Sequence, residues 1–146
     1  AYPGGLLEHV VSLMQLADRI SAHYAVLDRD LMMAGAMLHD IGKLEELLFE
    51  GELSYSDAGQ MLGHLVQGVQ MLDAKVRGIT ETVFVADRAI VLRLQHILVS
   101  HHGYLEHGSP KVPMTLEALA FHYLDEMDAK LNAALALIES DRTRDP

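Results

Sequence analysis

Apolar residues recur at helical spacing along nearly the whole chain, and this pattern restricts the chain to an all-α fold. The first segment carries such residues on one helix face, namely Leu6, Val10, Leu13, Ala17 and Ile20. The helical pattern is interrupted between residues 49 and 55, where a small hairpin or loop around Gly51 is predicted. We therefore predict a compact helical bundle.

Capping residues and glycines divide the pattern into separate helices. The predicted helices run from Leu6 to about Ile20, from Asp28 or Asp30 to about Gly42, from Ser56 or Asp57 to Gly78, from about Thr82 to His102, and from Thr115 to about Ser140. Residues 43–48 are predicted to add a short helical piece. Glycines and prolines make residues 103–113 a surface loop.

Length and composition set the broad class of the protein. The chain has 146 residues, half of them hydrophobic, so we expect residues 1–146 to form one domain with a substantial core. The chain has no cysteine, which excludes disulfides and zinc-thiolate sites and fits a reducing compartment such as the cytoplasm. No apolar run reaches the length of about 18 residues that a membrane span requires, so no membrane partner is expected.

The formal net charge of −10 argues against a general nucleic-acid-binding surface, because such surfaces present Lys and Arg to phosphates. That charge does not include bound metal ions. Two divalent ions would add four positive charges at one place, where a phosphate would bind. The composition therefore predicts an acidic body with a local cationic centre.

A set of histidines and aspartates, spread over five segments, carries the chemistry of this chain. Its members are His9, His39, Asp40, His64, His101, His102 and Asp125. Imidazole and carboxylate groups together are ligands for divalent transition metals. A single histidine on an amphipathic helix is usually a boundary residue, and His39-Asp40 alone could be a hydrogen-bonded general base. The joint pattern instead predicts a metal-dependent hydrolase that acts on a phosphate ester.

Two ions that share a carboxylate would use all of these ligands, and Asp40 is the natural bridge because it has two oxygens. One ion would take His9, His39, Asp40 and Asp125, and the other would take Asp40, His64, His101 and His102. Nitrogen-rich ligation favours manganese, iron, cobalt or nickel over magnesium. A hydroxide activated by the two ions would attack phosphorus.

Several further residues have more than one interpretation. Lys43 could neutralise charge on a phosphoryl oxygen, or it could be an exposed lysine near a helix end. Asp128, three residues after Asp125, is the alternative for the last ligand position. His96 and His122 could support ligands from behind or contact substrate, or they could be half-buried helix histidines. His23 and His107 are predicted to lie at the surface, as are most unpartnered histidines.

These residues resemble a known superfamily. His9, the run His39-Asp40-Ile41-Gly42-Lys43 and Asp125 are similar to the pattern of HD-domain metal-dependent phosphohydrolases, and His64 with His101-His102 resembles the subset with two metals. Further motifs resemble the HD domain of YhaM-type 3′→5′ exoribonucleases. These motifs are Tyr2-Pro3-Gly4-Gly5-Leu6-Leu7-Glu8-His9, Gly63-His64, Ser100-His101-His102-Gly103, Gly108-Ser109-Pro110 and Leu124-Asp125-Glu126-Met127-Asp128-Ala129-Lys130.

The resemblance implies an all-α HD fold and manganese- or cobalt-dependent hydrolysis of single-stranded RNA, and also DNA, from the 3′ end. It implies a phosphate-facing role for Lys43, and a substrate rim at the 103–113 loop with Ser109 and Lys111 as contacts; His96 joins them as a candidate contact. Members of that group carry an N-terminal OB-type nucleic-acid-binding domain. The chain starts at Ala1 without one, so we expect an excised domain or a stand-alone relative.

Two other functions stay open from the residues alone. The same metal ligands would serve a nucleotide phosphohydrolase or a cyclic-dinucleotide phosphodiesterase, although Gly103 is not followed by the Gly-Tyr-Pro triplet typical of the latter. A non-catalytic, metal-stabilised interaction module is the third alternative. Every ligand position is filled, which argues against a degenerate site.

Overall fold

The computed structural model describes residues 4–49, 51–80 and 87–142, and this part of the chain is mainly helical. Its elements in chain order are α1 (Gly5–His23), α2 (Arg29–Leu38), α3 (Lys43–Glu46), β1 (Leu47–Phe49), β2 (Leu53–Tyr55), α4 (Asp57–Thr80), α5 (Arg88–Ser100), a single 3₁₀ turn (Leu105–His107) and α6 (Leu116–Arg142). The predicted all-α class is confirmed.

Side-chain caps begin three of these helices at predicted residues. The Asp28 carboxylate accepts the Leu31 N–H at 3.1 Å before α2. The Ser56 hydroxyl accepts the Gly59 N–H at 2.9 Å before α4. Thr115 Oγ1 lies 3.2 Å from the Ala118 nitrogen before α6. Each cap satisfies a backbone donor that the first helical turn leaves free, so the starts of these helices follow from local sequence.

The start of α5 differs from the prediction. The residue predicted to begin this helix, Thr82, lies outside the described residues. Asp87 is extended, with φ −64° and ψ 114°, and its side chain accepts the Ala89 N–H at 2.8 Å. The helix therefore begins at Arg88, because the cap at Asp87 has non-helical backbone angles.

The predicted hairpin is present. Strands β1 and β2 pair antiparallel with Leu47 opposite Tyr55 and Phe49 opposite Leu53. The preceding short helix ends at Glu46, earlier than the predicted residue 48, because the chain from Leu47 onward is extended and paired in the hairpin.

The hydrophobic core lies between α1, α2, α5 and α6. Its largest fully buried hydrophobic side chains are Leu13, Met32, Ile97, Leu98 and Phe121. Burying a side chain of this size contributes about 1.5–3 kcal/mol, so these contacts hold the four helices in place. Helix α4 packs on α3 and α5, and its Val69 and Leu72 side chains pack against the edge of this core. The packing brings the C-terminal ends of α2 and α5 between the faces of α1, α4 and α6.

Helix α4 is kinked at Gly63, which the sequence pattern did not predict. Gly63 has φ 70° and ψ 161°, so the helix stops and restarts at His64. The left-handed φ favours glycine. The Glu46 carboxylate accepts the His64 N–H at 3.0 Å and caps the second part of the helix. A Cβ on Gly42 would lie 2.0 Å from the His64 carbonyl oxygen, so this close approach requires glycine.

Among the described residues, no helix is both long enough and apolar enough to cross a membrane.

Candidate metal centre

The structure brings all of the predicted ligand residues into one cluster. His39 is the C-cap residue of α2 and His101 is the C-cap residue of α5. The side chains form three overlapping groups, and within each group the potential ligand atoms lie within 4.8 Å of one another. The first group is His9, His39 and Asp125, the second is His64, His101 and His102, and the third is His39, Asp40 and His101. The first two groups have the composition expected for separate metal ions, and the third group links them.

Asp40 lies at the centre of the cluster and is 4% exposed. Its Oδ2 atom lies 3.3 Å from His39 Nε2. Its Oδ1 atom lies 3.4 Å from His64 Nε2 and 3.8 Å from His101 Nε2. The two oxygens of one carboxylate therefore face different histidines, as a bridging ligand would require.

Buried polar atoms without a hydrogen-bond partner mark the centre of the cluster. Among the described residues, six buried side-chain atoms lack a partner, and three of them belong here: His39 Nε2, His64 Nε2 and Asp40 Oδ1. An unsatisfied buried polar group costs about 1–3 kcal/mol. A cation between these atoms would satisfy them together, so the residues present fit a divalent metal ion.

The two histidines at helix ends are oriented by their own helices. His39 Nδ1 lies 3.1 Å from the Ala36 carbonyl oxygen, and His101 Nδ1 lies 2.9 Å from the Leu98 carbonyl oxygen. A carbonyl oxygen can only accept, so each Nδ1 donates. The last turn of a helix leaves such carbonyls free, and a histidine at the end can cap them. Each Nε2 atom consequently faces the cluster with its lone pair available.

His9 lies between two carboxylates from α6. Its Nε2 is 2.9 Å from Asp125 Oδ1, and its Nδ1 is 2.7 Å from Asp128 Oδ2. Asp125 Oδ1 also lies 4.0 Å from His39 Nε2. Asp125 thus faces the cluster, whereas Asp128 lies on the opposite side of the His9 ring. The hydrogen bond to Asp125, with a further contribution from Asp128, raises the pKa of His9 despite partial burial.

The protonation states of Asp40, His101 and His64 suit metal binding. Burial acts to raise the pKa of Asp40, but contacts with His39 and Lys43 outweigh it and hold the pKa well below its usual range. Burial lowers the pKa of His101 to about 3, and it also lowers the pKa of His64. At neutral pH the aspartate is therefore ionised and these imidazoles are neutral, which are the forms that coordinate metals.

Lys43 lies at the edge of the cluster. Its ammonium is 2.6 Å from Asp40 Oδ2, and its side chain is 33% exposed. The cation therefore contacts the central carboxylate on one side and solvent on the other.

The residues predicted to contact substrate lie on α5 and in the loop that follows it. Ser109 is 1% exposed, and its hydroxyl lies 2.8 Å from the Val99 carbonyl oxygen and 2.9 Å from that of Lys111. His96 Nε2 accepts the Met114 N–H at 2.9 Å. Within the described part of the chain, none of His96, Ser109 and Lys111 forms a hydrogen bond or ring contact with the clustered residues. Ser109 and His96 instead hold the loop between α5 and α6.

His122 supports the cluster through the backbone. It is 4% exposed and its Nδ1 donates to the His101 carbonyl oxygen at 2.8 Å. This contact agrees with one of the interpretations of His122 from sequence, that of a residue which supports the candidate ligands from behind. His23 and His107 are exposed, as predicted.

Three supporting residues were missed by sequence reasoning. Glu46 lies 3.2 Å from His64 Nδ1 through Oε2, and Ser12 and Asn132 donate to Asp128 at 2.5 and 3.0 Å. Ser12 and Asn132 could have been found, because they lie three and four residues from His9 and Asp128 on the same helix faces. Nothing in the sequence separates Glu46 from its exposed neighbour Glu45.

An open groove of about 990 Å³ borders the cluster at His9. Helix α1, the hairpin and α6 form its walls, and most of its lining is apolar, including Leu6, Phe49 and Leu135.

Histidines and aspartates from α1, α4 and α6 and from the ends of α2 and α5 meet in one helical bundle. This arrangement is typical of a class of helical metal-binding proteins. Residues 6–130 match the family described as HD domain, and the chain belongs to this family.

Similar proteins include the 3′–5′ exoribonuclease YhaM of Bacillus subtilis (strain 168), which is 44% identical over 131 residues. The proteins of the same name from Bacillus licheniformis and Bacillus velezensis are each 42% identical, over 131 and 130 residues. The alignments cover 90%, 90% and 89% of this chain and 40% of each relative. The chain thus spans less than half the length of these relatives. No solved structure matches it.

Proposed function

We propose that residues 1–146 form an HD phosphohydrolase domain that hydrolyses phosphodiesters and shortens RNA from its 3′ end. The observation that carries this proposal is the cluster around Asp40, whose two oxygens face separate histidine groups while buried nitrogens on both sides lack partners. Such an arrangement is suited to two divalent ions that share one carboxylate.

The ligands of the first ion in this proposal are His9, His39, Asp40 and Asp125. The ligands of the second ion are Asp40, His64, His101 and His102. When bound, the two ions would supply Lewis acidity that activates water and neutralises phosphate charge. We propose manganese as the metal. Nitrogen-rich ligation disfavours magnesium, and it would also admit iron, cobalt or nickel.

Asp40 and Lys43 have separate roles in this proposal. Asp40 is proposed to hold both ions at a fixed separation, and its lowered pKa keeps it ionised for this role. Lys43 is proposed to stabilise negative charge on the phosphoryl group, since its ammonium lies beside Asp40 and is partly exposed to an incoming substrate. The chain has a net charge of −10, so the cluster with its bound ions would be the main attraction for a phosphate.

RNA is proposed as the substrate on two grounds. The similar Bacillus proteins are named as 3′–5′ exoribonucleases. The space beside His9 is an open groove. An open groove suits a nucleic-acid strand, whereas a small nucleotide would be better suited by an enclosed pocket. We also propose a cytoplasmic location, because an RNA substrate and the cysteine-free composition both fit it.

The test incubates the purified chain with Mn²⁺ and single-stranded RNA labelled at its 5′ end. We expect a ladder of products that shorten from the 3′ end. Asp40→Ala should abolish it, because both ions lose a ligand. The matched control is Asp30→Ala in the first turn of α2, the helix that precedes Asp40, because the Asp30 side chain is 94% exposed.

Turnover by Asp40→Ala equal to that of the unaltered chain would show that the proposed site is wrong. RNA left intact by the unaltered chain, with hydrolysis of a mononucleotide or cyclic dinucleotide under the same conditions, would contradict RNA as the substrate.

A further inference from the structure

The histidines of the cluster receive two different kinds of support at Nδ1. His39, His101 and His102 donate to backbone carbonyl oxygens, those of Ala36, Leu98 and His107. His9 and His64 instead contact side-chain carboxylates, those of Asp128 and Glu46. Each of these carboxylates serves one of the two outer groups of potential ligands.

The position of each histidine in its helix explains the difference. His39 and His101 follow the last turn of a helix, where carbonyl oxygens are free. His9 lies inside α1, where carbonyl oxygens already accept helical hydrogen bonds. His64 begins the second part of α4, where the free backbone groups are N–H donors. For His9 and His64, an acceptor must therefore come from another element.

Both carboxylates are built into the fold rather than placed at the surface. Asp128 is 7% exposed and is held by Ser12 at 2.5 Å and by Asn132 at 3.0 Å. Glu46 is 8% exposed and also accepts the His64 N–H. Burying an ionised carboxylate is costly unless the group is paired, so each burial points to the histidine it contacts.

We propose that Asp128 and Glu46 are positioning residues, each of which sets the metal affinity of one ion independently of the other. Asp128 orients His9 and increases electron density at its Nε2, and Glu46 does the same for His64. Carboxylates in this position behind a metal-binding histidine change metal affinity by about 10- to 100-fold. This inference rests on the proposed two-ion centre.

The experiment measures Mn²⁺ binding by competition with a chelating dye in backgrounds that each retain one ion. His102→Ala removes a ligand of the second ion and leaves the His64–Glu46 contact in place. Asp125→Ala removes a ligand of the first ion and leaves the His9–Asp128 contact in place. Asp128→Asn and Glu46→Gln are introduced into both backgrounds, since each amide keeps a hydrogen-bond acceptor but loses the charge.

We expect a crossed result. Asp128→Asn should weaken the ion retained in the His102→Ala background about 10- to 100-fold, with little effect in the Asp125→Ala background. Glu46→Gln should do the reverse. The visible absorption of bound Co²⁺ should change in the same crossed manner, because it reports the geometry of the ligands.

Glu45→Gln and Glu139→Gln are the matched controls, because both residues are exposed and lie on the same helices as Glu46 and Asp128. Equal weakening in both backgrounds would mean a general structural effect and would overturn the inference, as would unchanged affinity in both. If the unaltered chain binds fewer than two ions, the two-ion centre itself fails. If it binds two ions and the variants show no crossing, only this inference fails.

Discussion

Gly103 shows how a single residue can join the metal-centre histidines to the core. It follows His102, has φ +79°, and packs so closely on His122 that an added Cβ would lie 2.2 Å from the imidazole ring. His122 in turn donates to the His101 carbonyl oxygen. A side chain at position 103 would therefore be strained twice, by backbone conformation and by contact.

Gly103→Ala and Gly108→Ala separate these two effects. Gly108 has φ +83°, and no atom lies within 4 Å of the position its Cβ would take. We expect Gly108→Ala to lower the free energy of unfolding by about 1–2 kcal/mol, the cost of a left-handed conformation. Gly103→Ala should cost about 1–3 kcal/mol more because the His122 ring must move. Urea denaturation of both variants measures the difference, and equal losses would contradict the role assigned to His122.

At the scale of elements, helix ends determine the geometry of this protein. The C-terminal ends of α2 and α5 present candidate metal ligands, and the N-terminal end of α2 is held to α5 and α6. Glu117 accepts the Asp28 N–H at 3.2 Å and lies 2.8 Å from an Arg93 guanidinium nitrogen. Burial acts to raise the pKa of Glu117, but these hydrogen bonds outweigh it and leave the pKa below its usual value.

The lowered pKa of Glu117 predicts a pH-dependent stability. A carboxyl whose pKa is lower in the folded than in the unfolded state stabilises the fold above its unfolded pKa. This contribution is lost as the pH falls from about 5 toward the lower pKa of the folded state. Glu117→Gln should therefore be less stable than the unaltered chain at neutral pH, and the difference should shrink in acid.

Urea denaturation at a series of pH values, with chelator present to exclude metal effects, measures this dependence. Glu106→Gln, in the exposed loop after α5, is the control and should follow the unaltered chain. A difference between Glu117→Gln and the unaltered chain that stays constant across this range would contradict the predicted linkage.

On the scale of the whole molecule, the negative net charge and the cluster of candidate metal ligands act together. The net charge is −10, while the centre gathers imidazoles and carboxylates around unsatisfied buried atoms. Divalent ions would relieve both the unsatisfied groups and part of the negative charge. Metal binding should therefore stabilise the folded chain, because the unfolded chain holds these ligands far apart.

Thermal unfolding with and without Mn²⁺ tests this coupling. At a free Mn²⁺ concentration of about 100 times Kd, each ion should add about 2.7 kcal/mol. For a domain of this size that corresponds to a rise in Tm of about 5–10 °C per ion. Chelator should reverse the rise, and Asp40→Ala should show little of it. A Tm that does not respond to Mn²⁺ in the unaltered chain would contradict a metal centre built from these residues.

Much of the fold could be predicted from the sequence because its signals are local. Helical spacing, the caps Asp28, Ser56 and Thr115, and the hairpin around Gly51 involve residues a few positions apart. The kink at Gly63 was missed, because the helical pattern continues through it and the Glu46 carboxylate that caps the second part of α4 comes from another element. The start of α5 was misplaced although its cap is local, since the Asp87 carboxylate accepts the Ala89 N–H. Family membership was predicted from the resemblance of the His and Asp motifs to those of HD-domain proteins, and the match over residues 6–130 confirms it.

The sequence by itself determined the helical class and the chemistry of the candidate ligands, because both depend on residue type and short spacing. Only the tertiary structure decided which groups meet. It placed Asp125 facing the cluster and Asp128 behind His9, it enclosed Glu46 rather than Glu45, and it turned Ser109 inward to hold a loop. These outcomes depend on contacts between residues distant in the chain. Packing, and the need to satisfy every enclosed polar atom, decide which side chains are buried.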